Sequence, residues 1–168
     1  MGNIIGIVCV DNRFGIGKNN DLLFHLKEDM KFFRQTTLGH VCAMGYNTLL
    51  SFPGSKPLPN RPNIVLAPAD VERDDCIIVH TFEDMLSAIK KYLAEDEDVY
   101  IIGGAMFYKS MLPYYDKVYI TKVDADGDAA VFFPNLDELD CFENCVDREF
   151  EENGYKLKFM TYTRVQSK

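Results

Sequence analysis

The chain has 168 residues, 47% of them hydrophobic and 26% charged, a composition typical of a folded globular protein rather than a disordered one. With 26 acidic and 18 basic residues the net charge is −8 at pH 7, so we expect no binding to nucleic acid or to an anionic membrane. The length fits one domain spanning residues 1–168.

The first half of the chain alternates apolar runs with Gly-rich or Pro-rich breaks. Ile4–Val10 is a continuous apolar run, typical of a strand buried on both faces. A Gly- and Asn-rich loop over 11–23 follows, and the apolar spacing of Leu26–Leu38 predicts a helix. The remaining predicted elements are strands at 41–44, 63–66 and 76–79, a short helix capped by Asn47-Thr48 and ending at Phe52, and a Pro-rich loop at 53–62.

In the second half, Thr81 is predicted to cap a helix, because Asp84 follows three residues later as in a capping box. The segment 99–112 predicts a strand, a Gly103-Gly104 turn and a helix that ends before Pro113. A strand over 117–123 and an acidic loop over 124–130 precede a hairpin that turns at Asn153-Gly154. These elements predict an α/β fold: a mostly parallel twisted sheet with flanking helices and an antiparallel C-terminal hairpin.

Two junctions between a strand and a helix contain glycine and are the strongest local signals for a ligand. They are Gly103-Gly104 and the run from Met44 to Thr48. Glycine lets the backbone approach a ligand, and a helix start presents N–H groups and the positive end of its dipole. Either junction alone is equally consistent with a tight connection, but two on one sheet favour the two ends of a dinucleotide pyrophosphate. The run Gly15–Asn20 fails the GxGxxG pattern and remains a candidate lid.

Two charged side chains stand out, each with two interpretations. Asp29 lies among Leu26, Met30 and Phe33 on an apolar helix face, where burial would raise its pKa and suit it to proton transfer. Alternatively, it is a surface residue that the helix dipole stabilises. Arg61 sits in a Pro-rich loop, where a restrained guanidinium suits the binding of a carboxylate; alternatively, it is a solvated cation.

Cysteine and histidine patterns predict no further chemistry. Five cysteines, an odd number without CxxC spacing, indicate reduced thiols with structural roles, as in a cytoplasmic protein. No base or orienting group near them in the sequence supports a catalytic thiol. The N-terminal run has neither the flank of a signal peptide nor the length of a membrane span. The three histidines share no ligand spacing, and the acidic loop lacks the EF-hand Gly and Glu, so no metal site is expected.

Taken in order, these motifs resemble the dihydrofolate reductase family over nearly the whole chain. The segments that carry the resemblance are 4–11 (IIGIVCVD), 16–20 (IGKNN), 25–33 (HLKEDMKFF), 44–45 (MG), 57–66 (PLPNRPNIVL), 102–105 (IGGA), Tyr108, 119–121 (YIT) and 132–134 (FFP). The resemblance implies reduction of 7,8-dihydrofolate to 5,6,7,8-tetrahydrofolate by hydride transfer from NADPH, within one-carbon metabolism. It also implies binding of antifolate inhibitors, and a monomer is the default expectation.

The resemblance implies roles for individual residues at the substrate. Asp29 would be the one acid in the pterin pocket, with Thr121 as its partner, and it would favour protonation of the pterin imine through water. Arg61 would bind the glutamate carboxylate of the substrate. The pocket would be lined by Ile5, Ile7, Met30, Phe33, Phe52, Leu58 and Ile102.

At the cofactor, the resemblance implies a mobile loop over Ile16–Leu23, with Leu22 and Tyr108 as further catalytic residues beside the nicotinamide. Gly103-Gly104 would be joined by a cis peptide bond at the pyrophosphate. The implied cofactor contacts are Ile7, Ile16, Gly17, Asn20, Leu22, Gly45, Tyr46, Asn47, Thr48, Leu66, Ala67, Ile102, Gly103, Gly104, Ala105, Met106, Phe107 and Tyr108.

The chain departs from the family pattern mainly at the cofactor end. The usual ligands of the 2′-phosphate are absent at Tyr46, Ala67, Pro68 and Met106, so NADH stays open beside NADPH, with His40, Lys109 or another cation as the substitute. Phe24 replaces a Trp that is common in the family. The segment 129–131 (AAV) replaces Gly-Asp-Thr, whose Asp steadies the mobile loop in relatives, so we expect weaker loop closure here.

Two alternative functions follow from the same residues. The first is a related pterin or pyrimidine reductase of riboflavin-type biosynthesis, which would need no carboxylate-binding residue at Arg61. The second is a non-catalytic dinucleotide-binding module, which the missing 2′-phosphate ligands and the missing loop Asp would suit.

Overall fold

The computed structural model describes residues 1–19 and 21–165. In chain order its elements are β1 Ile4–Val10, β2 Gly15–Lys18, β3 Asp21–Leu22, α1 Lys27–Thr37, β4 Val41–Gly45, α2 Tyr46–Ser51, β5 Asn63–Leu66, β6 Ile77–Val79, α3 Phe82–Ala94, β7 Val99–Ile101, α4 Ala105–Ser110, β8 Lys117–Val123, β9 Val131–Phe132, β10 Phe142–Glu152 and β11 Tyr155–Arg164. Short 3₁₀ turns lie at Pro53–Ser55, Leu112–Tyr114 and Leu136–Glu138. Within these described residues, no helix combines the length and apolarity needed to cross a membrane.

The main sheet has eight strands in the order β10-β11-β8-β1-β7-β4-β5-β6. The pairs from β8 to β6 are parallel, whereas β11 pairs antiparallel with both β8 and β10. The predicted α/β fold with a mostly parallel sheet and an antiparallel C-terminal hairpin is therefore confirmed. The hairpin turns where predicted, since Asn153 and Gly154 both have positive φ angles (53° and 81°), as a type I′ turn requires.

The core divides between the two faces of the sheet. Along β1, Ile4, Val8 and Val10 belong to one buried cluster, whereas Ile5 and Ile7 belong to another, as the two-residue period of a strand requires. The first cluster receives the buried side chains of α3 and α4, and the second receives Phe33 of α1. Helix α1 therefore packs on the face that carries Ile5 and Ile7.

The loop predicted over 11–23 differs from the structure. Strands β2 and β3 lie within it and form a second, three-stranded sheet with β9 in the order β3-β2-β9. The prediction of a plain loop was wrong here because the pairing partner, Val131–Phe132, is remote in sequence. Two helix boundaries also differ: α2 begins at Tyr46 behind Gly45, and α4 ends at Ser110, after which Pro113 falls in a 3₁₀ turn.

The strand order creates a crevice between β7 and β4. From β4 the chain continues outward to β5 and β6, whereas from β7 it crosses β1 to reach β8 on the other side. In open α/β sheets, ligands bind outside the carboxyl ends of the strands at such a switch point. The strands β4 and β7 end at the two glycine-containing junctions, and the fold thus brings both junctions to this crevice.

Candidate active site

Asp29 stands in the first turn of α1, against the face of β1 and β8 that carries Ile7. Cys9 and Thr121 are direct partners in the parallel register of these strands, so both side chains leave the sheet on the same face. The Thr121 hydroxyl and the Cys9 thiol both act on the Asp29 carboxylate as hydrogen-bond donors. The structure thus brings Asp29 and Thr121 together, and it adds a thiol.

The surroundings of Asp29 shift its proton equilibrium. Burial raises the pKa of the Asp29 carboxyl, while the hydrogen bonds from Thr121 and Cys9 lower it and the charge of Glu152 raises it. The net shift is upward, because burial penalises the ionised form most. Of the two interpretations of Asp29, the structure therefore supports the desolvated acid rather than the ordinary surface residue.

Cys9 was expected to be a structural thiol, and its contact with Asp29 corrects that expectation. Burial and the charge of Asp29 raise the pKa of the Cys9 thiol, so it stays protonated and remains a donor. The contact was hidden because α1 and β8 are both distant from β1 in the sequence. Strand alternation was the available signal, since Cys9 shares a face with Ile5 and Ile7.

An apolar wall continues from Asp29 across the same face of the sheet. Its members Ile5, Ile7 and Ile102 are buried, and Phe33, Phe52 and Leu58 pack against them while partly exposed. Met30, which was also expected to line the substrate, is 55% exposed.

Arg61 is held in place at the other end of α1. Its Nε donates to the Pro59 carbonyl at 2.9 Å, and its Nη1 donates to Thr37 Oγ1, also at 2.9 Å. Thr37 is the last residue of α1, whereas Asp29 is in the first turn, and eight residues of helix span about 12 Å. A restrained cation and a buried acid therefore stand at opposite ends of one apolar wall.

Tyr108 is buried behind the acid. Its hydroxyl donates to the Ile7 carbonyl at 2.8 Å, and the Tyr115 hydroxyl donates to the Tyr108 carbonyl at 2.9 Å. Burial raises the pKa of Tyr108, and the charge of Asp29 adds to the effect. Tyr108 is therefore a neutral donor that ties α4 to the backbone of β1.

The two glycine junctions meet at the crevice between β4 and β7. The N–H of Gly45 donates to the Gly103 carbonyl at 2.8 Å. The Gly103-Gly104 peptide bond is cis, as predicted. Gly103 has a φ of 134°, and a Cβ there would lie 3.0 Å from the Thr48 hydroxyl oxygen, so only glycine fits. Gly45 and Gly104 are the N-cap residues of α2 and α4. Because glycine has no side chain, it makes no side-chain hydrogen bond to the first amides of these helices.

Two basic side chains that were not named from the sequence, Arg73 and His80, stand beside positions where the usual 2′-phosphate ligands are absent. The Arg73 guanidinium donates to the Ser55 carbonyl at 2.7 Å and forms a bidentate ion pair with Asp75 at 2.9 and 2.7 Å. That hydrogen bond to Asp75 is the largest cause of a raised pKa at Arg73, and the neighbouring Tyr46 contributes in the same direction. Arg73 lies in an acidic stretch, which hid it as a candidate.

The second basic side chain is His80, which follows β6. Its Nδ1 lies 3.2 Å from the Ala67 carbonyl and 3.0 Å from the Pro68 carbonyl. Since both neighbours are acceptors, Nδ1 carries the proton in the neutral ring, and Nε2 gains one only when the ring becomes cationic. The substitutes expected from the sequence lie elsewhere: His40 precedes β4, away from Gly45, and Lys109 is in the last turn of α4.

The other residues expected to contact the cofactor differ in their position and in their exposure. Leu66 and Ala67 end β5 beside the crevice, Ala105 begins α4, and Asn47 is exposed on α2. Phe107, like Tyr108, belongs to the buried cluster on the opposite face of the sheet, and Met106 is 85% exposed. Asn20 lies outside the described residues.

The candidate lid is docked onto the acidic loop. The buried Asp11 carboxylate accepts hydrogen bonds from the amides of Gly15 (2.7 Å) and Gly127 (3.0 Å). Lys18 pairs with Asp128 at 2.6 Å, and the Ala130 N–H donates to the Gly17 carbonyl at 2.8 Å. These contacts hold the loop although the expected Asp is absent from 129–131. Ile16 is buried under the loop and Leu22 is 54% exposed.

Comparison with known proteins gives a consistent result. A family model described as dihydrofolate reductase matches residues 3–164. The dihydrofolate reductase of Bacillus subtilis (strain 168) is 34% identical over 164 residues, which cover 96% of this chain and 94% of the relative. That of Haemophilus influenzae is 33% identical over 151 residues, or 89% and 91% of the two chains. A structure of the Enterococcus faecalis enzyme complexed with NADP(H) and RAB-propyl has a TM-score of 0.87 at 28% identity, covering 98% of both chains.

Proposed function

The chain belongs to the dihydrofolate reductase family, and we propose that it reduces 7,8-dihydrofolate to 5,6,7,8-tetrahydrofolate with NADPH as the hydride donor. The observation that carries this proposal is the position of Asp29, half-buried against Thr121 at one end of an apolar wall, with Arg61 restrained at the other end. We take residues 1–168 as one catalytic domain.

The reaction adds a hydride and a proton across the carbon–nitrogen double bond of the dihydropterin ring. When bound, the reduced nicotinamide supplies the hydride to the ring carbon and is itself oxidised. Asp29 would hydrogen-bond the pterin amino group and ring N–H, with Thr121 as the second partner. Because its pKa is raised, the carboxyl can hold a proton in the complex and favour protonation of the imine nitrogen through water.

Arg61 supports a folate rather than a smaller substrate. The glutamate carboxylate of dihydrofolate suits a guanidinium whose orientation is already set by Pro59 and Thr37. The aminobenzoyl ring would lie between these ends, against Phe33, Phe52 and Leu58. A pterin or pyrimidine substrate without this tail would leave Arg61 without a ligand.

The crevice between β4 and β7 fits a dinucleotide. Gly45, Gly103 and Gly104 bring bare backbone to the pyrophosphate, and Thr48 packs on the glycine pair. Ile7, Ile102 and Tyr108 would enclose the nicotinamide. NADPH differs from NADH by its 2′-phosphate. Arg73 and His80 would bind that phosphate in place of the usual ligands, which this chain lacks at Tyr46, Ala67, Pro68 and Met106.

We further propose that the protein acts as a monomer in the cytoplasm and binds antifolates in the pterin pocket. A half-buried carboxylate with neutral donors around it suits a protonated aminopyrimidine ring, the chemistry of such inhibitors. Five cysteines without a disulfide among them support a reducing compartment. The net charge of −8 disfavours nucleic acid as a partner.

The test is the initial rate of reduced nicotinamide oxidation with dihydrofolate, run in parallel with NADPH and NADH. Turnover with NADPH preferred would support the whole proposal, including the replacement cations. Similar turnover with both cofactors would support the reaction and reject the role of Arg73 and His80. No turnover from folded protein would overturn the proposal and direct the search to pterin and pyrimidine substrates, or to stoichiometric dinucleotide binding.

A further inference from the structure

Helix α1 takes its N-terminal cap from the far end of the chain. Leu26 occupies the N-cap position, and its side chain cannot accept a hydrogen bond. The amides of Lys27 and Glu28 donate instead to Glu152, at 2.7 Å to Oε2 and 2.9 Å to Oε1. Both carboxylate oxygens of the last residue of β10 are therefore engaged with the first turn of α1.

This contact bears directly on the acid. Asp29 follows Glu28 in the same turn, so a shift or rotation of that turn moves Asp29 relative to Thr121 on β8. A carboxylate at a helix N-terminus is favoured by the helix dipole, and two oxygens on successive amides fix the orientation of the turn as well as its position. The C-terminal hairpin is thereby connected to the candidate acid without touching the substrate.

We propose that Glu152 is a positioning residue for the reduction: it holds the first turn of α1 so that Asp29 faces Thr121. This inference rests on the proposed function. It names a residue on the C-terminal hairpin, outside every segment that carries the family resemblance.

Several charged or titratable groups surround Asp29, and some raise its pKa while others lower it. Glu152 on β10 raises the pKa of Asp29, whereas the Cys9 thiol on β1 lowers it. Tyr108 on α4 stays neutral, and Glu28 is paired with Arg148 at 3.7 Å. Removing the charge of Glu152 therefore lowers the pKa of Asp29, and removing the thiol of Cys9 raises it.

The opposite signs predict opposite shifts of activity with pH. The reduction consumes a proton, so hydride transfer slows as the pH rises through the pKa of Asp29. In Glu152→Gln this falling limb moves to lower pH, and in Cys9→Ala it moves to higher pH. General loosening of the fold would not move the two variants in opposite directions.

The decisive experiment uses the ligand-free protein, so that it does not depend on turnover. Asp29 is titrated by carbon-13 NMR, and amide hydrogen exchange is measured at Lys27 and Glu28, in wild type, Glu152→Gln and Glu152→Ala. We expect a lower titration midpoint in both variants and at least tenfold faster exchange at the two amides in Glu152→Ala. Glu151→Gln is the matched control, because Glu151 carries the same charge on the same strand and faces solvent opposite Lys156.

Glu152→Asp separates the charge from the cap, because the shorter side chain keeps the charge but cannot reach both amides. It should exchange quickly at Lys27 and Glu28, and its Asp29 midpoint should lie above that of Glu152→Ala, because both variants lose the cap but only Glu152→Asp keeps the charge. Unchanged exchange and titration in Glu152→Ala, or equal changes in Glu151→Gln, would overturn the inference and leave the proposed function standing. If the variants show these ligand-free effects but the wild-type protein never oxidises NADPH with dihydrofolate, the proposed function is overturned and the contact between Glu152 and α1 is not.

Discussion

The two ends of the candidate cleft hold charge in opposite ways. At the acid end, Asp29 is desolvated and its closest donors, Thr121 and Cys9, are neutral. At the end where the cofactor would lie, Arg73 is a partly exposed cation that already shares its charge with Asp75. Burial strengthens electrostatic effects, whereas water and salt weaken those of exposed ions. We therefore expect chemistry to depend on a few desolvated groups around Asp29, and cofactor preference to depend on more solvated ions with smaller individual effects.

The largest expected effect is the loss of hydride transfer when the acid Asp29 is replaced. Asp29→Asn removes the carboxylate at the end of the apolar wall, and we expect hydride transfer near neutral pH to fall by about 10²–10⁴-fold, the usual contribution of a positioned acid. Single-turnover oxidation of NADPH measures the rate. Thermal unfolding of the same sample checks that the fold is retained, and a rate within twofold of wild type would reject Asp29 as the acid.

The next effect separates the substrate tail from the pterin ring. Arg61→Ala removes a charged hydrogen-bonding partner, which we expect to weaken dihydrofolate binding by about 10- to 100-fold. Binding of a pterin without the glutamate tail should hardly change, because Asp29 and Thr121 remain. Equilibrium titration of both ligands against the wild type and Arg61→Lys makes the comparison, and equal losses for the two ligands would favour the pterin or pyrimidine reductase.

A smaller effect tests the exposed end. Arg73→Ala should reduce the preference for NADP⁺ over NAD⁺ by about tenfold or less, since exposed charges contribute weakly. Asp75→Asn should move the preference the other way, because it frees Arg73 from a competing carboxylate. Calorimetric binding of the two oxidised cofactors measures both changes without turnover. Shifts of the same sign in the two variants would remove Arg73 from the phosphate site.

The smallest effect concerns stability and has a defined sign. The pKa of Asp29 is higher in the folded protein, so its stabilising protonated form is fully present below the unfolded pKa and is lost as the pH rises through the folded pKa. Asp29→Asn should therefore unfold at a higher temperature than wild type at pH 7. The difference should disappear below the ordinary Asp pKa of about 3.9. Calorimetric scans at several pH values test this, and a variant that is less stable at pH 7 would contradict the desolvated acid.

Most of the fold and part of the site were predictable from local patterns. The apolar run of β1, the capping Thr81, whose side chain accepts from the Asp84 amide at 3.0 Å, and the Asn153-Gly154 turn all report backbone preferences within a few residues. Local patterns marked Asp29, on an apolar helix face, and Arg61, in a Pro-rich loop, as candidates with two interpretations each, and the family resemblance supplied their proposed roles.

The groups that surround Asp29 were not predictable in the same way. Cys9 contacts the acid because β8 pairs with β1 in one particular register, and Glu152 caps α1 because the hairpin ends beside it. Neither contact produces a sequence pattern in the residues that flank it in the chain. The same holds for Arg73 beside Tyr46, which depends on how the segment after β5 returns to α2.

By itself the sequence determined most of the strands and helices and where the glycine junctions fall, and its family resemblance determined which acid and which cation to propose for the site. The elements and junctions depend on periodicity and turn chemistry, which act over a few residues. Only the tertiary structure decided what surrounds Asp29, which cations stand near Tyr46, and that the loop after β1 pairs with Val131–Phe132. These depend on strand order and register, because the pKa of a side chain is determined by its neighbours in space rather than in the chain.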